Sequence, residues 1–229
     1  MINVRKSNER GSANYGWLKA KYSFSFGHYF DPEHTGFRDL LVINQDTIEP
    51  GGGFDPHPHK DMEIVTYLIE GELEHKDSIG NSGIIKKGEI QRMSAGKGIR
   101  HSEYNPSKEK QTKLLQIWVQ TSEKGIDADY ENVAFDQIDG AKLLITPKGG
   151  EQIAKINQDF KLYGVRLKKE GQEEIRLDKN HHAWVQVISG EIEIADKKLY
   201  EGDGAAISEI EQLKFLAKED SEFLVMDLK

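Results

Sequence analysis

Short segments rich in Val, Ile, Tyr and Phe recur along the chain, with Gly, Asn or Asp between them. Representative segments are LLVINQDTI, MEIVTYLIEGELEH, KLLQIWVQT, FKLYGVRLK and AWVQVISGEIEIA. Apolar or alternating runs of this length, bounded by turn residues, are typical of strands in β-sandwiches and β-barrels. The peptide IGNSG, residues 79–83, predicts a turn, and helical periodicity allows at most one short helix, near residues 150–156. We therefore predict an all-β protein.

One pattern in the first half of the chain returns in the second half. The peptide IEGELE at residues 69–74 matches ISGEIE at residues 188–193, and a Gly-acidic pair follows each, at residues 88–89 and 202–203. In both halves a strand ends at a glycine, a Glu-hydrophobic-Glu strand follows, and a second turn opens a third strand. Such self-similarity indicates a repeated structural unit. We expect two similar β-domains in tandem, residues 1–125 and 126–229.

Composition restricts the classes of function. The net charge of -8 argues against general affinity for nucleic acid or anionic membranes, because phosphate binding needs a basic face. Cysteine is absent, so the chain has no disulfide framework and no thiol nucleophile, which fits a reducing compartment. No apolar run approaches the ~20 residues of a spanning helix. We expect a soluble, cytoplasmic protein that acts as a monomer.

Two histidine-containing pairs stand out in the first half. His57 and His59 are two residues apart, and His101 and Glu103 repeat that spacing a little over forty residues later. Because side chains alternate across a strand, each pair points to one side. Asp61 and Glu63 would share the face of His57 and His59 if that strand were regular. On neighbouring strands, the two pairs can place three imidazoles and one carboxylate at one point.

This set of side chains suits a divalent transition metal. A lone His-x-His pair is more often a surface feature, and it is the downstream His-x-Glu pair that makes metal binding the better interpretation. Four protein ligands leave open positions on iron, copper, nickel or manganese, which prefer more than four ligands. Pro58 lies between the two histidines and cannot donate a ladder hydrogen bond, so we expect this strand at a sheet edge or a bulge.

The residues around these pairs resemble the cupin superfamily. The positions that fit its two motifs are Gly51, His57, His59, Glu63 and Gly71 for the first, and Gly88, Gly96, His101 and Asn105 for the second. Within the superfamily, HPHKDMEIVTYLIEGELEHKDS and MSAGKGIRHSEYNP are similar to the pirin signature. Ser94 replaces the cupin proline, and the spacing from Gly96 to His101 is longer than the general pattern, as it is in pirins.

The resemblance implies a fold, a cofactor and an activity. Pirins are two-domain cupins, or bicupins, built from jelly-roll barrels, and they use the glutamate two residues after the last histidine as a ligand. We therefore expect Glu103, and not Glu63, to complete a set with His57, His59 and His101. The metal is expected to be Fe(II), with Cu, Ni, Mn, Co or Zn as alternatives. The implied activity is that of quercetin 2,3-dioxygenases, which open the flavonol ring with O2 and release CO, with Glu103 as the base.

A second class of function stays open beside the enzyme. Pirin-like proteins are also thought to act as metal-binding regulators through a protein partner. For this acidic chain the target would be a protein and not DNA. A hydrolase or isomerase that uses metal-bound water is a third interpretation, but the sequence offers no clear additional acid or base for it.

The second repeat lacks equivalent ligands. Alignment without gaps places Arg176 and Asp178 at the positions of His57 and His59, and Phe215 at that of His101. We expect a C-terminal domain without metal. His181 and His182 are neighbours, so on a strand they would face opposite sides. Of the other histidines, we expect structural or surface roles for His181 and His182 and a solvent-facing position for His75. His28 and His34 lie in an aromatic-rich segment that could line a pocket mouth, and core packing is the preferred role for them.

Overall fold

The structure, a computed structural model, describes all residues from 1 to 229 and confirms the all-β prediction. It contains 22 β-strands and one 3-10 helix, Ser7–Glu9, and no helix long and apolar enough to span a membrane. The short helix allowed near residues 150–156 is absent. Gly150 and Ile153 instead form an isolated bridge, and a two-residue strand, Ala154–Lys155 (β14), follows.

The chain forms two compact units. The site unit consists of Gly11–Asp136 and Lys148–Gln158, and the second unit consists of Met1–Arg10, Gln137–Pro147 and Asp159–Lys229. Each unit therefore includes segments from both sides of residue 125. The division into domains 1–125 and 126–229 stays a prediction.

The site unit is built from two antiparallel sheets. The seven-stranded sheet has the order β12-β9-β6-β11-β4-β3-β2, and the four-stranded sheet has the order β5-β10-β7-β8. The strand bounds are β2 (Gly11–Asn14), β3 (Leu18–Tyr22), β4 (Leu40–Ile48), β5 (Gly53–His59), β6 (Met62–Glu70), β7 (Glu72–Asp77), β8 (Ser82–Lys86), β9 (Glu89–Ser94), β10 (Ile99–Tyr104), β11 (Thr112–Gln120) and β12 (Asp129–Ala134).

The second unit repeats this arrangement. The strands that this unit contributes to its larger sheet have the order β1-β20-β17-β22-β15-β13, and its four-stranded sheet has the order β16-β21-β18-β19. The bounds are β1 (Ile2–Arg5), β13 (Gly140–Thr146), β15 (Phe160–Leu167), β16 (Gln172–Arg176), β17 (His182–Ser189), β18 (Glu191–Ile194), β19 (Lys197–Tyr200), β20 (Gly204–Ile207), β21 (Gln212–Ala217) and β22 (Ser221–Leu228).

Local sequence explains two features of the smaller sheet in the site unit. The predicted turn joins β7 to β8, and the Asp77 carboxylate stabilises it by accepting hydrogen bonds from the backbone N–H groups of Ile79 (3.0 Å) and Asn81 (2.9 Å). Strand β5 lies at the sheet edge, as Pro58 predicted, and it contains a second proline, Pro56. Prolines are tolerated at an edge because no partner needs the missing donor.

Candidate metal centre

Strands β5 and β10 bring the three predicted imidazoles together. The antiparallel register places His57 directly opposite His101, and alternation along β5 turns His59 to the same side while Pro58 faces solvent. The ring centroids are 4.5 Å apart for His57 and His101, 4.8 Å for His57 and His59, and 4.9 Å for His59 and His101. One ligand-capable nitrogen from each ring lies within 4.8 Å of the others, so one small ion can contact all three.

Glu103 lies beside this cluster on β10. Its side chain is buried, and its carboxylate comes within 4.8 Å of the ligand-capable nitrogens of His101 and His75. The Gln116 side-chain amide donates to Glu103 Oε2 at 3.0 Å, and the Thr66 hydroxyl lies 3.4 Å from Oε1. Burial raises the pKa of Glu103 to about 7, although these hydrogen bonds favour the ionised form. Gln116 thus holds a carboxylate that exchanges its proton near neutral pH.

Glu63 does not join the cluster, because strand β5 ends at His59 and the chain changes direction before Glu63. Asp61 has a φ of 49°, in the left-handed region, so the strand that carries His59 does not continue to Glu63. Glu63 lies instead on β6 in the larger sheet, where its carboxylate accepts hydrogen bonds from Ser94 Oγ (2.8 Å) and Asn157 N (3.3 Å). The two-residue alternation that the sequence suggested for residues 57–63 therefore ends at His59.

The four candidate ligands line a cavity of about 240 Å³. The rest of its lining is largely aromatic and apolar, from Leu18, Tyr22, Phe26, Phe54 and Trp118, with the polar residues Asn44, Asp46 and Gln116. The Trp118 ring packs edge-on against His59 at 4.8 Å, and Phe26 packs edge-on against Trp118 at 5.4 Å. Asn44 is buried, and its Oδ1 accepts no hydrogen bond within the protein. The cavity thus combines an apolar wall with a buried acceptor.

The electrostatics of the cluster favour metal binding over protonation. Burial, with a smaller contribution from His57, lowers the pKa of His59 to about 4. Burial and the neighbouring imidazoles lower the pKa of His101 to about 2. Both rings are therefore neutral near pH 7 and carry a lone pair. His101 Nε2 is buried and has no hydrogen-bond partner, a position that a metal ion would satisfy. The donor set fits a divalent transition metal.

His75 is a site residue that the sequence interpretation missed. The prediction that it faces solvent is wrong, because it is completely buried on β7. His75 Nε2 lies 3.1 Å from Asp77 Oδ2, and the ring of Tyr130 stacks on the imidazole with centroids 4.5 Å apart. The available signal was the His-x-Asp spacing of residues 75–77, which repeats the two-residue period of the other pairs.

The remaining histidines lie elsewhere. The prediction of core packing is wrong for both His28 and His34. His28 is exposed, and His34 is half-buried and pairs with Asp31 at 2.9 Å. His181 and His182 have the predicted structural roles: His181 Nδ1 lies 2.6 Å from Asp227 Oδ1, and His182 Nδ1 lies 2.9 Å from Ser208 Oγ.

His181 also approaches two carboxylates in the second unit. Ligand-capable atoms of Asp159, Asp178 and His181 come within 4.8 Å of one another. However, the Lys161 ammonium lies 2.6 Å from Asp178 and that of Lys229 lies 3.4 Å from Asp159. Because lysines already balance these carboxylates, the group is best described as an ion-pair cluster.

Comparison with known proteins places the chain in a family. Residues 3–119 match the family model described as pirin, and residues 143–228 match the quercetinase C-terminal cupin domain. A protein of Escherichia coli K12 named quercetin 2,3-dioxygenase is 46% identical over 228 residues, which cover 100% of this chain and 99% of that protein. The chain belongs to the pirin family.

Other pirin relatives agree over the whole length. A pirin-like protein of Caulobacter vibrioides is 36% identical over 231 residues, with 99% of each chain covered. The crystal structure of the bacterial pirin YhhW from Escherichia coli, in complex with nickel(II), is 46% identical and superposes with a TM-score of 0.96, covering 100% of this chain and 99% of that one. The predicted fold of two cupin domains is confirmed, and this pirin shares it with structurally characterised members.

Proposed function

We propose that this pirin binds one divalent transition metal through His57, His59, His101 and Glu103. Two observations carry the proposal: three imidazoles converge, and one of them, His101, has a buried Nε2 without a hydrogen-bond partner. The nickel(II) complex of the Escherichia coli relative gives further support. We propose Fe(II) as the native metal, and Cu, Ni, Mn, Co and Zn also suit a set of three nitrogens and one oxygen.

We further propose that the protein is a dioxygenase that opens the heterocyclic ring of flavonols such as quercetin with O2 and releases CO. The names of its relatives support this activity. The metal, when bound, would supply Lewis-acid and redox chemistry at the end of the cavity formed by the three histidines. The protein itself must then bind a flat aromatic substrate, exclude water and remove one proton.

Glu103 is the proposed base. A flavonol reacts with O2 after its hydroxyl group loses a proton, and a general base is most effective when its pKa lies near the working pH. In the metal-free protein, burial raises the pKa of Glu103 to about 7, so this carboxylate takes up a proton more readily than an exposed glutamate does. Gln116 donates a hydrogen bond to Oε2 and so keeps the carboxylate directed while the proton moves to it. The three histidines would remain in place.

The cavity walls support an aromatic substrate with hydroxyl groups. Phe26, Phe54 and Trp118 provide faces and edges for ring packing and make much of the cavity wall apolar. The buried Oδ1 of Asn44 accepts no hydrogen bond within the protein, so a substrate hydroxyl that reached it would satisfy a buried acceptor. An aromatic compound without hydroxyl donors would leave that acceptor unsatisfied.

Turnover of a flavonol tests the proposal. Protein purified without a metal-affinity tag is loaded in turn with Fe(II), Cu, Ni, Mn or Co, mixed with quercetin in air, and followed by the loss of flavonol absorbance and the release of CO. We expect both signals with at least one metal and neither with metal-free protein. Absence of both signals with every metal contradicts the dioxygenase proposal. The alternative, regulation through a protein partner, stays a prediction.

A further inference from the structure

We propose that Asp77 and His75 form a buried hydrogen-bonded chain that fixes the tautomer and ring orientation of His101, so that the Nε2 lone pair of His101 faces the metal position. The inference rests on the metal site proposed above and assigns it two positioning residues. Neither residue needs to touch the metal or the substrate. Their effect reaches the site through His101.

Strand pairing places the two residues behind the cluster. Strand β7 runs antiparallel to β10, with His75 opposite Glu103 and Asp77 opposite His101. The pairs have the same two-residue spacing, so their side chains emerge on one face of the sheet. The side chains of His75 and Asp77 are both 0% exposed, so water does not compete for the hydrogen bonds between them.

The hydrogen bond between Asp77 and His75 determines which nitrogen of His75 carries the proton. Asp77 already accepts hydrogen bonds from the backbone N–H groups of Ile79 and Asn81 and from the Asn81 side-chain amide, at 2.9 to 3.0 Å. An ionised carboxylate can only accept, so the proton in the 3.1 Å contact belongs to His75 Nε2. A neutral imidazole has one N–H group. His75 Nδ1 is therefore unprotonated and carries a lone pair.

That lone pair determines the tautomer of His101. His75 Nδ1 lies 3.5 Å from His101 Nδ1, at the long end of hydrogen-bond separations. Two facing lone pairs would repel, so His101 Nδ1 carries a proton and donates it. His101 Nε2, which is buried and has no hydrogen-bond partner, then carries the lone pair that a metal ligand requires. Metal-bound histidines in proteins generally donate their second ring N–H to such a partner, which fixes the tautomer and strengthens the ligand.

Tyr130 holds His75, the middle residue of the hydrogen-bonded series Asp77–His75–His101, in position. Its ring stacks on His75 with an interplanar angle of 22°, and it lies on β12 in the larger sheet. His75 is thus packed between the two sheets of the site unit, and rotation of its imidazole would require Tyr130 to move. The stacking makes the chain a fixed part of the site rather than a transient contact.

Three variants test the inference through nickel(II) affinity, measured by competition with a chelator. His75→Leu removes both hydrogen bonds, whereas His75→Gln can still accept from His101 and donate to Asp77. His181→Leu is the matched control, because it breaks another buried His–Asp pair, in the second unit. We expect affinity to fall by about 10- to 100-fold for His75→Leu, and to stay within about threefold of wild type for His75→Gln and His181→Leu.

Nitrogen NMR of the zinc-loaded protein gives a readout that packing alone would not change. We expect His101 to be protonated at Nδ1 in wild type and in His75→Gln, with that resonance lost or shifted in His75→Leu. The inference is overturned if His101 is protonated at Nε2, or if His75→Leu binds nickel(II) as wild type does. It is also overturned if His75→Gln loses as much affinity as His75→Leu, because His75 would then be a ligand. Failure of wild type to bind any metal contradicts the proposed function instead.

Discussion

The two units share one architecture but fill it differently. In the site unit, the inner face of the four-stranded sheet carries His57, His59, His101 and Glu103 around a cavity. In the second unit, the matching sheet contributes Ile175, Phe215 and Ala217 to a continuous apolar core. Apolar filling yields stability directly, whereas a buried polar cluster does so only when every group has a partner. The comparison indicates that one unit keeps a cavity lined in part by polar side chains, whereas the other has a packed apolar interior.

Strand register makes this comparison more exact than sequence alignment does. Alignment without gaps pairs Arg176 with His57, but in the structure the residue opposite Phe215 is Glu173. His57 is opposite His101 in the site unit, so Glu173 occupies its place if Phe215 occupies that of His101. Arg176 lies at the exposed end of β16. The expectation that Arg176 matches His57 is therefore not supported by the pairing, while the absence of imidazoles from this sheet holds.

The largest expected effect is loss of metal from His101→Ala. This change removes the residue whose Nε2 has no partner in the protein, and we expect a loss greater than the roughly 10- to 100-fold typical of residues that support a ligand. Elemental analysis of untagged protein checks it, with His181→Ala as the control. Metal content equal to that of wild type would show that the ligand set is wrong.

The converse change in the second unit is Phe215→Ala. Phe215 is 2% exposed and packs against Phe223 with ring centroids 4.9 Å apart. Removing a buried phenyl ring costs about 3–5 kcal/mol of unfolding free energy, because a cavity is left behind. We expect urea unfolding to report that loss while nickel(II) affinity stays at the wild-type value. A large fall in affinity in the folded variant would mean that the packed interior also supports the metal site.

The next largest expected effect is the pH dependence of stability that the Glu103 carboxyl group causes. Burial raises the pKa of Glu103 from 4.5 to about 7, so its contribution to stability is complete below pH 4.5 and is lost as the pH rises through 7. At about 1.4 kcal/mol per pKa unit, the loss approaches about 3 kcal/mol in metal-free protein. Glu103→Gln lacks this titration, so its stability relative to wild type should rise between pH 5 and pH 8.

Urea midpoints of both metal-free proteins at the two pH values measure this difference. The lowered pKa values of His59 and His101 act equally in both proteins and cancel in the comparison. Parallel pH dependence of wild type and Glu103→Gln would contradict the raised pKa.

The smallest expected effect is that of Arg176→Ala. Its side chain is exposed at the end of β16, and substitutions at such positions usually change stability by less than about 0.5 kcal/mol. We expect nickel(II) affinity and the urea midpoint to match wild type. A decrease in metal affinity would support the equivalence of Arg176 and His57 that the alignment suggested and contradict the one based on strand pairing.

Much of the site could be predicted because its spacing is local. His57 with His59, and His101 with Glu103, each lie within one strand, where the two-residue period alone fixes a common face. His75 could not be placed in this way, because its burial depends on the pairing of β7 with β10, a contact between distant parts of the sequence. The exclusion of Glu63 depends on the left-handed backbone of Asp61, a conformation that a non-glycine residue seldom signals in advance.

The position of β5 at a sheet edge also bears on how the protein behaves at high concentration. An exposed edge strand normally offers a row of N–H and C=O groups to which another chain can add. Pro56 and Pro58 leave two gaps, two residues apart, in the donors of this strand. A foreign strand could not form a complete ladder there. The proline that separates the two histidines thus also protects an open edge of the protein from self-association.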